Sequence, residues 1–220
     1  MKRFVYLCIV LIFAASCTGK KSKISSARSA LDSASYAIGV LYGVNMDRLK
    51  DNLPVEFDMD YDLFMAGFRD VLTKADSLKP DTYWADEIFR KYIVGKVKEK
   101  SLAYLDENRK KDSIVVLESG LQYKIVAEGS GKSPLPADTI NVKYKGTTID
   151  GQVFDARQEP VKFALSGMIP GWIEGIPLMK EGAKYMFYVP PHLAYGDSGR
   201  LGGQTLIFEV ELVSVVKGAE

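Results

Sequence analysis

The period of the hydrophobic pattern changes once along this chain of 220 residues, close to residue 112. Across residues 29–111, apolar side chains recur every three or four positions, as they do on one face of an α-helix. From residue 118 onward they alternate with polar side chains in short runs separated by turn residues, which indicates β-strands. A chain of this length is also expected to form more than one domain. We therefore predict an α+β protein with a helical domain at residues 29–112 and a sheet domain at residues 113–220.

Three helices are predicted in the first domain. The first has an apolar stripe and a serine cap, at Ser33 or Ser35. The second begins near Asp58 or Asp60, and the third spans about residues 81–110 after a break at Pro80. Three such helices form only a thin hydrophobic core on their own, so a second copy of the chain is expected to cover the remaining apolar surface. The stripe of the first helix consists of Tyr36, Gly39, Val40, Gly43 and Val44.

In the second domain, the strands are predicted at residues 121–126, 139–145, 153–154, 161–165, 183–189 and 205–215, all in one antiparallel sheet. The dipeptide Asp150-Gly151 is typical of a tight turn. A short helix at residues 172–179 lies between strands and is expected to cover one face. This pattern predicts a half-barrel sheet wrapped over a short helix.

The first residues have the pattern of an export signal. Lys2 and Arg3 precede an apolar run at residues 4–15, which is too short to span a bilayer as a helix. The run ends in Ala-Ala-Ser-Cys at residues 14–17, which resembles a bacterial lipobox. This resemblance implies a signal peptide at residues 1–16, lipid attachment at Cys17 and a flexible tether at residues 17–28. The alternative is an ordinary secretory signal cut near Ala15.

Charge and motifs exclude several classes of function. The formal net charge of +1 argues against nucleic acid as a partner, because phosphate binding requires an excess of basic residues. The single histidine, His192, has no companions for metal or triad chemistry. The acidic residues near Asp58 lack the glycine and distal glutamate of a calcium loop. We therefore predict no metal site and no cofactor.

Four short segments of the second domain carry aromatic side chains and one acid, Asp155. They are Val-Lys-Tyr-Lys-Gly at residues 142–146, Gly-Gln-Val-Phe-Asp at 151–155, Ile-Pro-Gly-Trp at 169–172 and Ala-Tyr-Gly at 194–196. Aromatic side chains so arranged are suited to forming an apolar pocket with one polar group at its edge. Such a site can bind and twist a polypeptide but has little with which to cleave one.

The same residues, in the same order and at similar spacing, resemble the family of FKBP-type peptidyl-prolyl cis-trans isomerases. The helical domain, mainly at residues 35–39 and 67–70, is similar to the dimerisation domain of macrophage-infectivity-potentiator-type members. The resemblance implies a homodimeric isomerase of exported, proline-containing polypeptides. With the lipobox, it implies a lipid-anchored protein of the bacterial cell envelope, in the outer membrane and facing the periplasm.

The resemblance also implies roles for individual residues. Trp172 forms the floor of the pocket, while the Ile169 N–H and the Tyr195 hydroxyl bond substrate carbonyls. Asp155 orients Tyr144 or polarises the bound carbonyl. The remaining pocket residues, which form the walls and rim, are Phe154, Phe163, Met168 and Phe208.

Two departures from the family pattern affect the expected site. Val161 stands where a second phenylalanine is common, so that wall is thinner. The loop at residues 197–204 is short, and Leu201 is its only large apolar residue that could contact substrate. We therefore expect a shallower, more flexible site with weaker binding of macrolide inhibitors. The short loop also favours an alternative function, a non-catalytic chaperone or binding module on the same scaffold.

Overall fold

A computed structural model describes residues 30–73 and 82–217 of the chain. Their packing divides the protein into two compact units, one that ends at Leu53 and one that begins at Pro54. The predicted signal peptide, the tether, Cys17 and the break at Pro80 lie outside the described residues. No helix within the described ranges is both long enough and apolar enough to cross a membrane.

The first unit contains helix α1, Ala30–Asp51. The predicted serine cap is wrong, because Ser33 and Ser35 both lie inside this helix. Its large apolar side chains remain exposed in the single chain, and a Cβ added at Gly39 or Gly43 would meet no atom within 4 Å. The exposed apolar residues of α1 are Tyr36, Ile38, Val40, Leu41, Tyr42, Val44 and Leu49.

The second unit begins with helices α2, Tyr61–Thr73, and α3, Thr82–Asn108. The start of α2 agrees with the sequence prediction, because Asp60 caps it. The Asp60 Oδ1 atom accepts hydrogen bonds from the N–H groups of Asp62 and Leu63, each at 3.0 Å. No residue of α2 is buried, and most of its large apolar side chains are exposed in the single chain, namely Tyr61, Leu63, Met65, Val71 and Leu72.

The rest of the second unit is one six-stranded antiparallel sheet that does not close into a barrel. Its order is β1-β2-β5-β6-β3-β4. The predicted α+β class and open antiparallel sheet are confirmed. The strands are β1 Val115–Val116, β2 Gln122–Ala127, β3 Thr139–Thr148, β4 Val153–Ala164, β5 Lys184–Val189 and β6 Leu206–Val216.

Strand β4 is continuous, although the sequence predicted two separate strands in this region. Its register against β3 shifts between the pairs Val142–Val161 and Tyr144–Arg157, so the polar residues around Pro160 form a bulge rather than a break. A bulge accommodates proline, which has no N–H to donate to the ladder. This bulge allows one strand to carry both Phe154 and Phe163 to the same cavity.

Helices cover both faces of the sheet. The short helix α4, Pro170–Gly175, is followed by a 3₁₀ turn, and it packs so closely on β5 that a Cβ on Gly175 would lie 2.6 Å from the Phe187 ring. The next residue, Tyr188, faces the opposite side, where its ring lies 6.3 Å from that of Tyr104 on α3. Helix α3 therefore packs with the sheet, and the domain boundary predicted near residue 112 stays a prediction.

Candidate functional site

A cavity of about 310 Å³ opens on the α4 side of the sheet. It brings together nearly all the side chains that the sequence assigned to the site, and Gly167 is the one additional lining residue. Leu201 is the exception, because it does not line the cavity and packs against the hydrophobic core instead. The lining residues are Tyr144, Phe154, Asp155, Phe163, Gly167, Met168, Ile169, Trp172, Tyr195 and Phe208.

Trp172 is the centre of the aromatic array. Its side chain is buried, with 3% of its surface exposed. Three rings meet it edge to face, with ring centroids 5.2 Å away for Tyr144, 5.3 Å for Phe208 and 6.2 Å for Phe163. The indole Nε1 is buried and has no hydrogen-bond partner in the part of the chain that the structure describes. This geometry makes a rigid apolar floor with aromatic walls.

The local sequence of α4 explains how Trp172 reaches this position. Ile169 is the extended N-cap residue of the helix, and Pro170 occupies the first turn, where its missing N–H has no consequence. Gly171 follows, and a Cβ there would lie 2.5 Å from Val189 Cγ1. The helix can therefore approach β5 only with glycine at this position, which holds Trp172 against the concave face.

A second glycine, Gly146 on β3, shapes the opposite wall. A Cβ at this position would lie 2.6 Å from Phe154 Cζ and 3.1 Å from Phe208 Cε1. Without that Cβ, the two phenylalanine rings meet edge to face at a centroid distance of 5.5 Å. Gly146 is not among the site residues predicted from the sequence. A glycine inside an otherwise regular strand was the available indication, because it often marks a close approach.

The polar edge of the cavity is a chain of three side chains. The Tyr144 hydroxyl donates to Asp155 Oδ2 at 2.5 Å, and Arg157 Nη1 donates to Asp155 Oδ1 at 3.0 Å. Arg157 was missed by the sequence analysis, since it lies outside the quoted segments. Asp155 thus fixes the Tyr144 hydroxyl and remains partly exposed at the mouth, with 40% of its side chain accessible.

Burial, together with the hydrogen bond to Asp155, raises the pKa of the Tyr144 phenol to about 12. The pKa of a tyrosine in an unfolded chain is about 10, so the folded state favours the neutral phenol. The resulting stabilisation is fully present below about pH 10 and is lost as the pH rises towards 12. We expect the ¹³Cζ resonance of Tyr144, assigned with Tyr144→Phe, to keep its phenol position at about pH 11. A phenolate shift already complete at that pH would contradict this environment.

Two possible hydrogen-bond donors lie at the rim. No partner for the Ile169 N–H is found among the described residues, since the first turn of α4 uses only the Ile169 carbonyl, which accepts from Trp172 and Ile173. Tyr195 lies on the other side of the opening, with 48% of its surface exposed. Both groups line the cavity and could reach the carbonyls of a bound polypeptide.

The loop after Tyr195 is more constrained than the sequence suggested. Its backbone closes on itself through hydrogen bonds from Gly203 N–H to the Gly196 carbonyl at 2.8 Å and from Gly202 N–H to the Gly199 carbonyl at 3.2 Å. Gly202 and Gly203 are buried. The expected flexibility of the site stays a prediction, but these hydrogen bonds and the burial of the two glycines favour an ordered loop.

The chemistry available to this site is limited. The ten lining residues include no cysteine, serine, lysine or histidine, so the cavity has no nucleophile paired with a base. No group of side chains in the described ranges could hold a metal ion. An open, concave apolar surface with an acid, a phenol and a backbone donor at its edge can bind and distort a chain without breaking bonds.

Comparison with protein-family models gives two matches. Residues 131–213 match the model described as "FKBP-type peptidyl-prolyl cis-trans isomerase". Residues 31–125 match the model described as "Domain amino terminal to FKBP-type peptidyl-prolyl isomerase". The two matches together cover most of the described chain.

Individual proteins are similar over most of this chain. A "Probable FKBP-type peptidyl-prolyl cis-trans isomerase FkpA" from Neisseria meningitidis is 36% identical over 208 residues, which cover 85% of this chain and 75% of that protein. "Outer membrane protein MIP" from Legionella longbeachae is 36% identical over 208 residues, or 86% and 87%. The crystal structure of FkpA from Escherichia coli superposes with a TM-score of 0.56 at 30% identity, covering 87% of this chain and 99% of that one.

Proposed function

This chain belongs to the family of FKBP-type peptidyl-prolyl cis-trans isomerases, and we propose that it rotates Xaa-Pro bonds in the cavity around Trp172. The residues proposed to carry out the reaction are Tyr144, Phe154, Asp155, Ile169, Trp172 and Tyr195. Those proposed to complete the binding surface are Phe163, Met168 and Phe208. Leu201 lies outside the cavity lining and is half-buried against the core, as Phe163 and Met168 also are, and its contact with substrate from the adjoining loop is proposed as well.

The reaction itself sets the requirements for the site. Rotation about a peptide bond faces a barrier of about 18–20 kcal/mol, because resonance keeps the amide planar. Uncatalysed exchange of an Xaa-Pro bond therefore takes roughly tens to hundreds of seconds. No bond is broken, so the catalyst needs neither nucleophile nor metal. It must bind the twisted amide more tightly than the planar one.

The cavity could meet this requirement in two ways. Trp172 and the surrounding rings would hold the proline ring and exclude water from the imide carbonyl, which disfavours the polar planar form. The Ile169 N–H and the Tyr195 hydroxyl would then bond carbonyls of the twisted chain, and Asp155 would orient Tyr144. The observation that supports this proposal most strongly is the floor formed by Trp172 among three edge-to-face rings, beside the Tyr144–Asp155 hydrogen bond.

The proposal is tested by the cis-to-trans rate of a short Xaa-Pro peptide in the presence of the chain from Thr18 to Glu220. We expect a rate that increases in proportion to protein concentration. A folded chain that leaves the uncatalysed rate unchanged would contradict the proposal and would favour the non-catalytic chaperone or binding module.

The uncovered helices support a second proposal, that the protein is a homodimer through its N-terminal helices. Helix α1 exposes seven large apolar side chains, and α2 buries none of its residues in the single chain. Surfaces of this kind are usually covered by a partner. Glycines at positions 39 and 43 leave open space in which another helix could pack closely.

We expect the double variant Val40→Glu/Val44→Glu to convert the dimer to monomer in sedimentation equilibrium, because it places two charges in the proposed interface. Arg48→Glu is the matched control, since it changes the charge of the same helix by the same amount at a position that is already charged. The control should remain dimeric. A wild-type chain that is monomeric at micromolar concentration, or a double variant as dimeric as the control, would contradict the proposed interface.

The location and clients of the protein are also proposals. We propose that Cys17 carries lipid and anchors the chain in the bacterial cell envelope, in the outer membrane and facing the periplasm. The lipobox-like sequence supports this, as does the relative named as an outer membrane protein. The clients would then be exported polypeptides that contain proline.

A further inference from the structure

Ser101, two turns before the end of α3, is a polar residue that is fully buried. Its Oγ accepts a hydrogen bond from the Thr205 N–H at 2.9 Å. Its carbonyl oxygen accepts a second bond from Thr205 Oγ1 at 3.3 Å. Thr205 is also fully buried, so each residue satisfies polar groups of the other where water cannot replace them. Helix α3 is therefore fixed at one defined point of the sheet domain.

That point is the end of the loop that begins directly after Tyr195. Thr205 follows the loop and precedes β6. The Gly203 N–H donates to the Gly196 carbonyl at 2.8 Å, and the Gly196 N–H donates to the Pro191 carbonyl at the same distance. One backbone hydrogen bond thus joins Gly203, two residues before the Thr205 held by Ser101, to Gly196, the residue that follows Tyr195.

A second contact holds the same loop against the helix. Gly203 has a φ of +75°, and a Cβ there would lie 2.7 Å from the Val94 carbonyl oxygen on α3. Only glycine allows the loop to pass this close to the helix backbone. The Lys98–Asp197 ion pair also joins helix and loop at 3.1 Å, but both side chains are exposed and such pairs contribute little.

We propose that Ser101 is a positioning residue for prolyl isomerisation. By fixing Thr205, it holds the loop on α3 and so fixes the Tyr195 hydroxyl at the rim of the cavity. This inference rests on the proposed function, because the contact of Tyr195 with substrate is part of that proposal. The short loop, which lacks apolar residues over the cavity, is then kept in place by the helix.

The other buried polar contact of α3 provides a matched control. Asn108 Nδ2 donates to Gln122 Oε1 on β2 at 2.9 Å, and Gln122 Nε2 donates to the Leu105 carbonyl at 2.9 Å. Asn108 is also buried, with 1% of its surface exposed. Asn108→Ala therefore removes a comparable buried contact between α3 and the sheet, but one that does not involve the loop.

The test measures kcat/KM for an Xaa-Pro peptide with full-length protein. We expect Ser101→Ala to lower kcat/KM by about fivefold, equivalent to about 1 kcal/mol at 25 °C, and Asn108→Ala to leave it unchanged. In a Tyr195→Phe background, Ser101→Ala should cause no further loss, because its effect acts through the missing hydroxyl. If Ser101→Ala fails to fold, Gly203→Ala tests the same coupling with the same comparison, since its Cβ would force the loop away from α3.

Three outcomes would overturn the inference. One is a Ser101→Ala chain as active as wild type, and another is an equal loss in Asn108→Ala. The third is the same fivefold loss with and without the Tyr195 hydroxyl, which would make Ser101 a general stabilising residue. An inactive wild-type chain would instead refute the proposed function. A fully active Tyr195→Phe chain would refute the role of Tyr195 and this inference with it.

Discussion

Replacing Trp172 with alanine should lower both the unfolding free energy and the isomerisation rate more than any other single substitution in the sheet domain. The side chain is buried and contacts three aromatic rings, so its removal leaves a cavity under the pocket. Truncations of this kind cost about 3–5 kcal/mol of unfolding free energy. Isomerisation should also fall to near the uncatalysed rate, even at temperatures where the variant remains folded. Urea unfolding and the peptide assay measure the two effects separately.

Trp84 provides the control, since the chain contains only two tryptophans. It lies on α3 with 62% of its surface exposed. Trp84→Ala should change the unfolding free energy by roughly 0.5 kcal/mol or less and leave the isomerisation rate unchanged. Equal effects of the two substitutions would mean that Trp172 is not the centre of the core and the site. A Trp172→Ala variant with wild-type turnover would contradict the proposal that Trp172 holds the proline ring of the substrate.

Replacing Asp155 with alanine should affect catalysis far more than stability. The carboxylate is partly exposed, so little buried surface is lost, but the Tyr144 hydroxyl loses its 2.5 Å hydrogen bond. A hydrogen bond to a charged group contributes about 1.5–3 kcal/mol, which corresponds to about a ten- to hundredfold fall in kcat/KM if it is used in the transition state. Steady-state kinetics and thermal unfolding of the same preparation measure both quantities.

Asp150→Ala is the matched control for this prediction. Asp150 is another partly exposed acid of the same sheet domain, paired with Lys100 at 2.8 Å and outside the cavity. We expect it to leave kcat/KM unchanged. A variant at Asp155 that keeps wild-type kinetics would show that the acid has no part in the reaction.

The site was more predictable than the packing of the helices. The four aromatic segments are local sequence features, and all of them contribute to one cavity, whereas Leu201 of the following loop does not line it. The contact of Leu201 with substrate stays a prediction, because a loop residue with an apolar side chain can face either a ligand or the core, and the spacing does not decide between them. Here it packs against the core.

The docking of α3 could not be predicted from periodicity. Apolar residues occur all along this helix, but the structure buries Ile93, Val97 and Leu105 and leaves Trp84 and Ile88 exposed. The buried face also carries Ser101, which pairs with Thr205, 104 residues away along the chain. Contacts between residues so far apart in the sequence cannot be predicted from local hydrophobic periodicity, since each partner alone resembles an ordinary helix or loop residue.

Backbone geometry accounts for the remaining differences between the predicted and the observed boundaries of strands and helices. The two strands predicted around Pro160 are one bulged strand. Proline has no N–H to donate to the neighbouring strand, and at a bulge that hydrogen bond is not required. Ser33 and Ser35 were predicted to cap α1, but serine also occurs inside helices and here the helix includes both. Asp60, whose carboxylate does bond the first N–H groups of α2, shows where the same reasoning succeeds.

Exchange NMR on an Xaa-Pro peptide with a small amount of protein tests most directly whether the cavity rotates the bond that it binds. Uncatalysed exchange, at roughly tens to hundreds of seconds, is too slow to give cross-peaks between the cis and trans resonances. We predict that the protein produces these cross-peaks, that Asp155→Ala weakens them at the same protein concentration, and that the Trp172 indole N–H resonance shifts as peptide is added. A shift of the Trp172 resonance without cross-peaks would contradict the account, because the cavity would then bind proline-containing chains without isomerising them.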